Sequence, residues 1–339
     1  RSTDSWISSS ISDGLHTQGR VDTYYDPSSG NMFAVCGSSD PVRSNIMSTF
    51  SDGDSWSQPT SVCDHEYWDW HPTVGGDGTG NVWIAWQSMQ NNHNGYDIYL
   101  SRWSGSSWTN ETILTDGDPF EVEPAMDGGN GHAWLVWQKW QGASTDIEGV
   151  LWTGSTWTSV NTVSDEEGEE RHPDVAYGGD GFGVVYHARR SGNWVICFRD
   201  APDSGPFSTE TVLSSGSENS RYACITSDGS EYWVAWQDDN GAILSSHGSS
   251  VSGWTSPVRV SSPAGCARPS ITSSPAGEIT VMWTCGIEQL HYNSYSAGNW
   301  QGYYGAVTED AVDDVSLAWC DGKLWAVYGR RGTDLQWDL

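Results

Sequence analysis

A motif that returns about every 50 residues constrains this 339-residue chain more than any other feature. Apolar runs closing on Trp-Gln occur as Val82-Trp83-Ile84-Ala85-Trp86-Gln87, Ala133-Trp134-Leu135-Val136-Trp137-Gln138 and Tyr232-Trp233-Val234-Ala235-Trp236-Gln237. Weaker copies end at Cys36-Gly37, Tyr186-His187, Trp283-Thr284 and Tyr328-Gly329. Before each comes a short run that often carries proline, such as His71-Pro72-Thr73-Val74 or His172-Pro173-Asp174-Val175. A third strand follows a polar loop (Asp97-Ile98-Tyr99-Leu100, Trp194-Val195-Ile196-Cys197), and a fourth follows a glycine turn (Gly105-Ser106-Ser107-Trp108). Four short antiparallel strands per repeat make a propeller blade, a unit that must stack on its neighbours to bury its faces. Seven copies predict an all-β, seven-bladed β-propeller forming a single domain over residues 1–339. The seventh repeat, 313–339, stops at its third strand, and residues 5–11 (Ser5 to Ile11) are expected to supply the fourth and so close the ring.

Composition narrows the function. The formal net charge of −29 argues against a nucleic-acid partner, because phosphate backbones are bound by concentrated Lys and Arg. No apolar stretch is long enough for a membrane-spanning helix. Seven cysteines without Cys-x-x-Cys spacing point away from a zinc ribbon or a redox dithiol. Cys266 and Cys285 fall at the start of one strand and the end of its antiparallel partner, which predicts a disulfide and fits a secreted protein. The start Arg1-Ser2-Thr3 reads as trimmed or processed.

The blade pattern, with Gly-x-x-Trp turns between third and fourth strands, resembles the sialidase-like or BNR-type propellers over nearly the whole chain. Their Asp-box, Ser-x-Asp-x-Gly-x-x-Trp, is degenerate here, as at Thr49-Phe50-Ser51-Asp52-Gly53-Asp54-Ser55-Trp56. Where sialidases carry Arg-Ile-Pro, this chain has Arg20-Val21-Asp22. The seven-bladed members of that group include polysaccharide lyases, and the resemblance implies action on uronic-acid polymers.

Inner strands converge on one axial mouth, so the repeat can be searched for chemistry. Aligned on the proline column, the preceding residues are Arg20, His71, Glu123, His172, Arg221, Arg268 and Asp313. All seven are ionisable in a chain where roughly one residue in five is. Such a ring is either a plug of mutually neutralising charges or a binding site. Arg221 is the member without an acidic neighbour. Loops opening onto the same face add Arg43, Lys139, Arg171, Arg189, Arg190, Arg330 and Arg331, with His16, His65, His93 and His187. Guanidinium groups bind carboxylate or sulfate in a bidentate fork, which makes an anionic oligo- or polysaccharide the expected partner.

The fourth repeat departs from Trp-Gln with Tyr186-His187. β-Elimination from a uronic acid needs a cation for the carboxylate, a base for the C5 proton and an acid for the leaving oxygen. Arg221 with Arg171 or Arg189, His172 or His187, and Tyr186 or Tyr222 are the candidates for those roles. Two other classes stay open. Trp68, Trp70 and Trp140, expected in mouth loops where they could stack on sugar rings, suit a non-catalytic lectin-like or structural protein. Glu121, Glu123, Asp313 and Asp314 offer a carboxylate pair for a glycoside hydrolase. The sequence assigns no certain cofactor; the acidic runs 116–118 and 165–170 read as solvated loops, with Ca²⁺ sites as the alternative.

Overall fold

The computed structural model describes residues 11, 17–39, 44–53, 55–63, 67–89, 95–115, 120–203, 205–249, 253–261, 265–286, 289–302, 312–331 and 337–338. All regular structure in them is β. Six four-stranded antiparallel sheets follow one another, over residues 17–61, 69–113, 120–164, 170–212, 220–259 and 266–300, each with its strands in chain order. A further sheet of three strands, Val312–Cys320, Lys323–Arg331 and Trp337–Asp338, completes the circuit. The expected seven four-stranded blades are therefore corrected to six. The shortfall falls on the last repeat, which has only three strands among the described residues; residues 5–10, expected to supply its fourth, lie outside them. Among the described residues the first strand, Thr17–Tyr25, packs between the inner strands Asp69–Gly76 and Val312–Cys320.

Every apolar cluster draws on two neighbouring sheets. Trp83, Ala85 and Leu100 of the second blade pack on Met126, Leu135 and Trp137 of the third, and Met32 and Ala34 of the first pack on Ala318, Cys320 and Val327 of the three-stranded sheet. Trp86, Trp137, Trp236, Trp283 and Tyr186 are among the largest fully buried side chains. A blade thus finishes its core only against its neighbour, which is why the repeat has to close into a ring.

Proline has a physical reason in this pattern. The pairing of each inner strand with its neighbour shifts register at one repeated point: between Trp70 and Thr73, between Arg171 and Asp174, between Arg221 and Cys224, and between Ala267 and Ser270. Two inner-strand residues there face one on the second strand, a β-bulge. In the second blade His71 and Pro72 oppose Trp86, between the pairs Trp70 with Gln87 and Thr73 with Ala85. Proline has no N–H for the ladder and fits where the ladder is already interrupted. The first residue of each bulge is turned into the left-handed region: φ is 49° at His71, 56° at Glu123, 50° at His172, 53° at Tyr222 and 51° at Arg268. Non-glycine residues hold such a conformation at a cost, and its recurrence marks the ring as built for aiming side chains.

Candidate functional site

The bulges surround an axial cavity of about 580 Å³, lined by the inner strands of all six blades and of the three-stranded sheet. Its ring residues are His71, Glu123, His172, Tyr222 and Arg268. The sequence alignment placed two members one residue away. In the fifth blade the ring position belongs to Tyr222, while Arg221 pairs with Gln237 before the bulge, points elsewhere and lies 3.3 Å from Asp239. In the first blade Arg20 stands one position after the ring residue, where other blades have proline, yet its side chain still reaches the mouth. The side chains of Asp313, Arg330 and Arg331 and all of His16, Arg43, His65 and His93 lie outside what is described.

Glu123 is the hub. Its Oε1 lies 2.8 Å from His71 Nδ1. Its Oε2 lies 2.9 Å from Arg20 Nη1 and 3.4 Å from His172 Nδ1. Burial alone would push this carboxyl up, but hydrogen bonds from His172 and His71 and the charges of His71 and Arg20 hold it well below the usual carboxylate range. Glu123 is thus a fixed anion that orients two imidazoles, not a proton donor.

Below the ring, Asp22, Asp127, Asp174 and Asp314 tie neighbouring inner strands together. Asp22 accepts from Val74 N (3.0 Å) and Thr73 Oγ1 (2.8 Å), Asp127 from Tyr177 N (2.8 Å), Asp174 from Ile225 N (2.9 Å) and Asp314 from Val21 N (3.3 Å). Burial raises Asp127 to about 7 and Asp174 to about 6 against the hydrogen bonds they accept. Their spacing on the inner strands was visible in the sequence, but carboxylates that fasten one blade to the next look there like any other polar residue.

The Trp-Gln motif explains how the ring is held. Gln87 Oε1 accepts a 2.9 Å hydrogen bond from Glu123 N, Gln138 Oε1 one of 3.3 Å from His172 N, and Gln237 Oε1 one of 2.9 Å from Arg268 N. Each glutamine satisfies the N–H freed by the bulge of the following blade. In the fourth blade His187 does this work: its Nδ1 accepts from Tyr222 N at 3.4 Å. A backbone N–H only donates, so the imidazole is neutral with its proton on Nε2. Burial, then the charges of His172, Arg221 and Arg171, depress its pKa well below the usual value.

Tyr186 is placed in the core, away from the mouth. It is fully buried, and its hydroxyl meets Ser164 Oγ (2.9 Å), Glu210 Oε2 (2.8 Å) and Arg199 Nε (3.2 Å). Arg190 bonds Glu210 and Glu170 in the same interior network, and Lys139 is held by Glu148 at 2.7 Å. These basic groups, counted toward the mouth from sequence, serve the blades. Tyr186 and His187 are both buried, and neither lines the axial cavity.

What remains at the mouth is a mixed surface. His172 packs edge-on to Tyr222 with ring centroids 4.8 Å apart, and Tyr222 is 40% exposed. Beside them runs an alternating stack across three blades. The Arg171 guanidinium lies 4.9 Å from the Trp140 ring and 5.4 Å from Trp194, and Arg221 lies 5.7 Å from Trp194. Arg171 is also paired with Glu169, as is the more exposed Arg189 at 3.7 Å. Trp194 was not singled out in the sequence; its position at the start of a third strand carried no signal. Glu121 is buried and does not line the axial cavity, and burial raises its pKa to about 7. Cys266 and Cys285 form the expected disulfide. Among the described residues no group of three or more His, Cys, Asp or Glu side chains converges as a metal site, and no helix is long and apolar enough to cross a membrane; the run 116–118 lies outside them.

No protein-family model matches the chain, and no curated protein matches it in sequence. Solved structures do match its fold. A lectin from Burkholderia pseudomallei has a TM-score of 0.70 at 12% identity, over 96% of this chain and 98% of that one. An α-L-arabinanase from Penicillium chrysogenum has a TM-score of 0.58 at 14% identity, over 81% and 92%. The NanB sialidase from Streptococcus pneumoniae has a TM-score of 0.55 at 11% identity, over 98% and 69%. At these identities the likeness is one of fold: the chain is a β-propeller whose architecture is shared by lectins and glycosidases.

Proposed function

We propose that the axial mouth binds an anionic glycan and that the protein works outside the cell, where the Cys266–Cys285 bridge is at home. The observation that carries this reading is the ring itself: five non-glycine residues held at positive φ aim His71, Glu123, His172, Tyr222 and Arg268 into one open cavity. A cavity lined by a few fixed polar groups and an exposed tyrosine suits a sugar, which needs both hydrogen-bond partners and an aromatic face. Glu123 is already matched by Arg20 and two histidines. Arg268 lines the same cavity and brings positive charge to it, as a carboxylate or sulfate ester requires. That lectins and glycosidases share the architecture supports a carbohydrate as ligand.

A second reading, β-elimination from a uronate, is favoured by one contact, the His172–Tyr222 pair at 4.8 Å. In it an arginine neutralises the carboxylate while His172 and Tyr222 take and return the proton. Calorimetric titration with galacturonate and sulfated oligosaccharides tests the first reading. Arg268→Gln is expected to weaken binding at least about tenfold without lowering the melting temperature; unchanged affinity would overturn it. Ultraviolet absorbance of the unsaturated product tests the second.

A further inference from the structure

The second blade carries an aromatic surface that the axial ring does not use. Trp68 and Tyr67 are 42% and 40% exposed, and Met89 beside them is 39% exposed. The Trp68 and Trp70 rings lie nearly parallel, 9° apart in plane with centroids at 5.9 Å. That separation describes an offset pair, which leaves part of each face uncovered.

Strand geometry holds this pair in place. Side chains alternate along a strand, so Trp68 and Trp70 share one face and Asp69 points to the other. Asp69 is fully buried: its N–H donates to Ser44 Oγ at 2.8 Å, and its Oδ1 accepts from Trp86 Nε1 at 3.1 Å. Trp68 itself bridges to Ser44, and its carbonyl accepts from Met89 N. The indoles are thus fixed from below while their outer faces meet solvent. Trp70 also lines the axial cavity, and the next residue, His71, is bound to Glu123. The aromatic surface and the mouth form one continuous path.

We infer that Trp68 and Trp70 form a stacking subsite for a further sugar ring, so that the ligand is a chain of several units entering the mouth over the second blade, not a single terminal sugar. This rests on the reading of the mouth as a glycan site. Its chemistry differs, since stacking on indole is indifferent to charge, whereas the mouth selects an acidic group.

The test is affinity against chain length, by calorimetry and tryptophan fluorescence, with galacturonate oligomers and neutral cello-oligosaccharides of two to six units as probes. Affinity is expected to rise with length. Trp68→Ala should remove about 3- to 10-fold from the longer oligomers while leaving the shortest unchanged, and Trp68→Phe should restore most of the loss. Length-independent affinity, or an equal loss at every length in Trp68→Ala, would overturn the subsite. A gain with length that is the same for neutral and acidic oligomers and indifferent to Arg268→Gln would uphold the stacking subsite and overturn the acidic mouth. Failure of both series to bind would overturn both.

Discussion

The second, third and fifth blades carry Trp-Gln in their second strand, the fourth Tyr-His, and the same two jobs are done in all four. The first residue fills the space between blades, the second caps the N–H that the next blade's bulge exposes. In the Trp-Gln blades the filler is Trp86, Trp137 or Trp236, and the cap is an amide that never ionises. In the fourth blade the filler is smaller and carries a hydroxyl, so Ser164, Glu210 and Arg199 close around it, and Arg190 with Glu170 closes around them. The cap is an imidazole packed on the mouth, 5.0 Å from His172 and 5.7 Å from Tyr222. A departure from a repeat that resembles a catalytic cluster in sequence is here a rebuilt support for the ring residue beside it.

That contrast can be broken most forcefully at the fillers. Trp137→Ala or Trp236→Ala empties the space between blades and should cost about 3–5 kcal/mol in denaturant unfolding. Tyr186→Phe keeps the volume but strands the groups that meet its hydroxyl, and should cost about 1–3 kcal/mol. Unfolding of Tyr186→Phe at the wild-type denaturant concentration would show that the network contributes nothing.

The caps should respond more gently. His187→Ala leaves the N–H of Tyr222 without its acceptor, at about 1–3 kcal/mol, while His187→Gln restores the repeat and should stay within about 1 kcal/mol of wild type. If His187 were a proton-transfer group at the axis, the glutamine variant would instead lose any turnover while keeping its stability.

The smallest effect is with pH. Asp127 and Asp174, raised to about 7 and about 6, bind their protons more readily folded than unfolded. Their contribution is fully present below the unfolded value near 4 and is lost as pH rises through 6 to 7. Glu123, held low, acts in the opposite sense: its contribution is present above the unfolded carboxylate value and is lost as pH falls through its depressed folded value. His187, depressed by burial, opposes the aspartates below the usual imidazole value near 6.5, so the melting temperature should rise only modestly from pH 8 to pH 5 and decline in stronger acid. A flat profile from pH 8 to pH 5 would mean that the buried aspartates do not titrate there.

Much of this architecture was legible from the repeat alone, because Trp-Gln and the proline column report burial and ladder interruption directly. The site was legible less evenly. Glu123, His71, His172 and Arg268 stand before proline and were found. Tyr222 stands before Ala223, and without the proline the count slipped to Arg221, since turns between first and second strands differ in length by a residue. Tyr186 and His187 were read as chemistry because of what they are; their equivalence to Trp and Gln, visible in the same alignment, was the better guide. The last repeat misled in its strand count, where a three-stranded sheet stands in place of the expected full blade.

The axial mouth is tested most directly by a crystal structure of the protein with a galacturonate oligosaccharide. Density is expected in the axial cavity, with a sugar ring against Tyr222, its carboxylate at Arg268 and further units leading toward Trp70 and Trp68. Density confined to the separate cleft between the third and fourth blades, at Trp134, Phe207 and Arg199, with the axial cavity empty, would contradict the assignment.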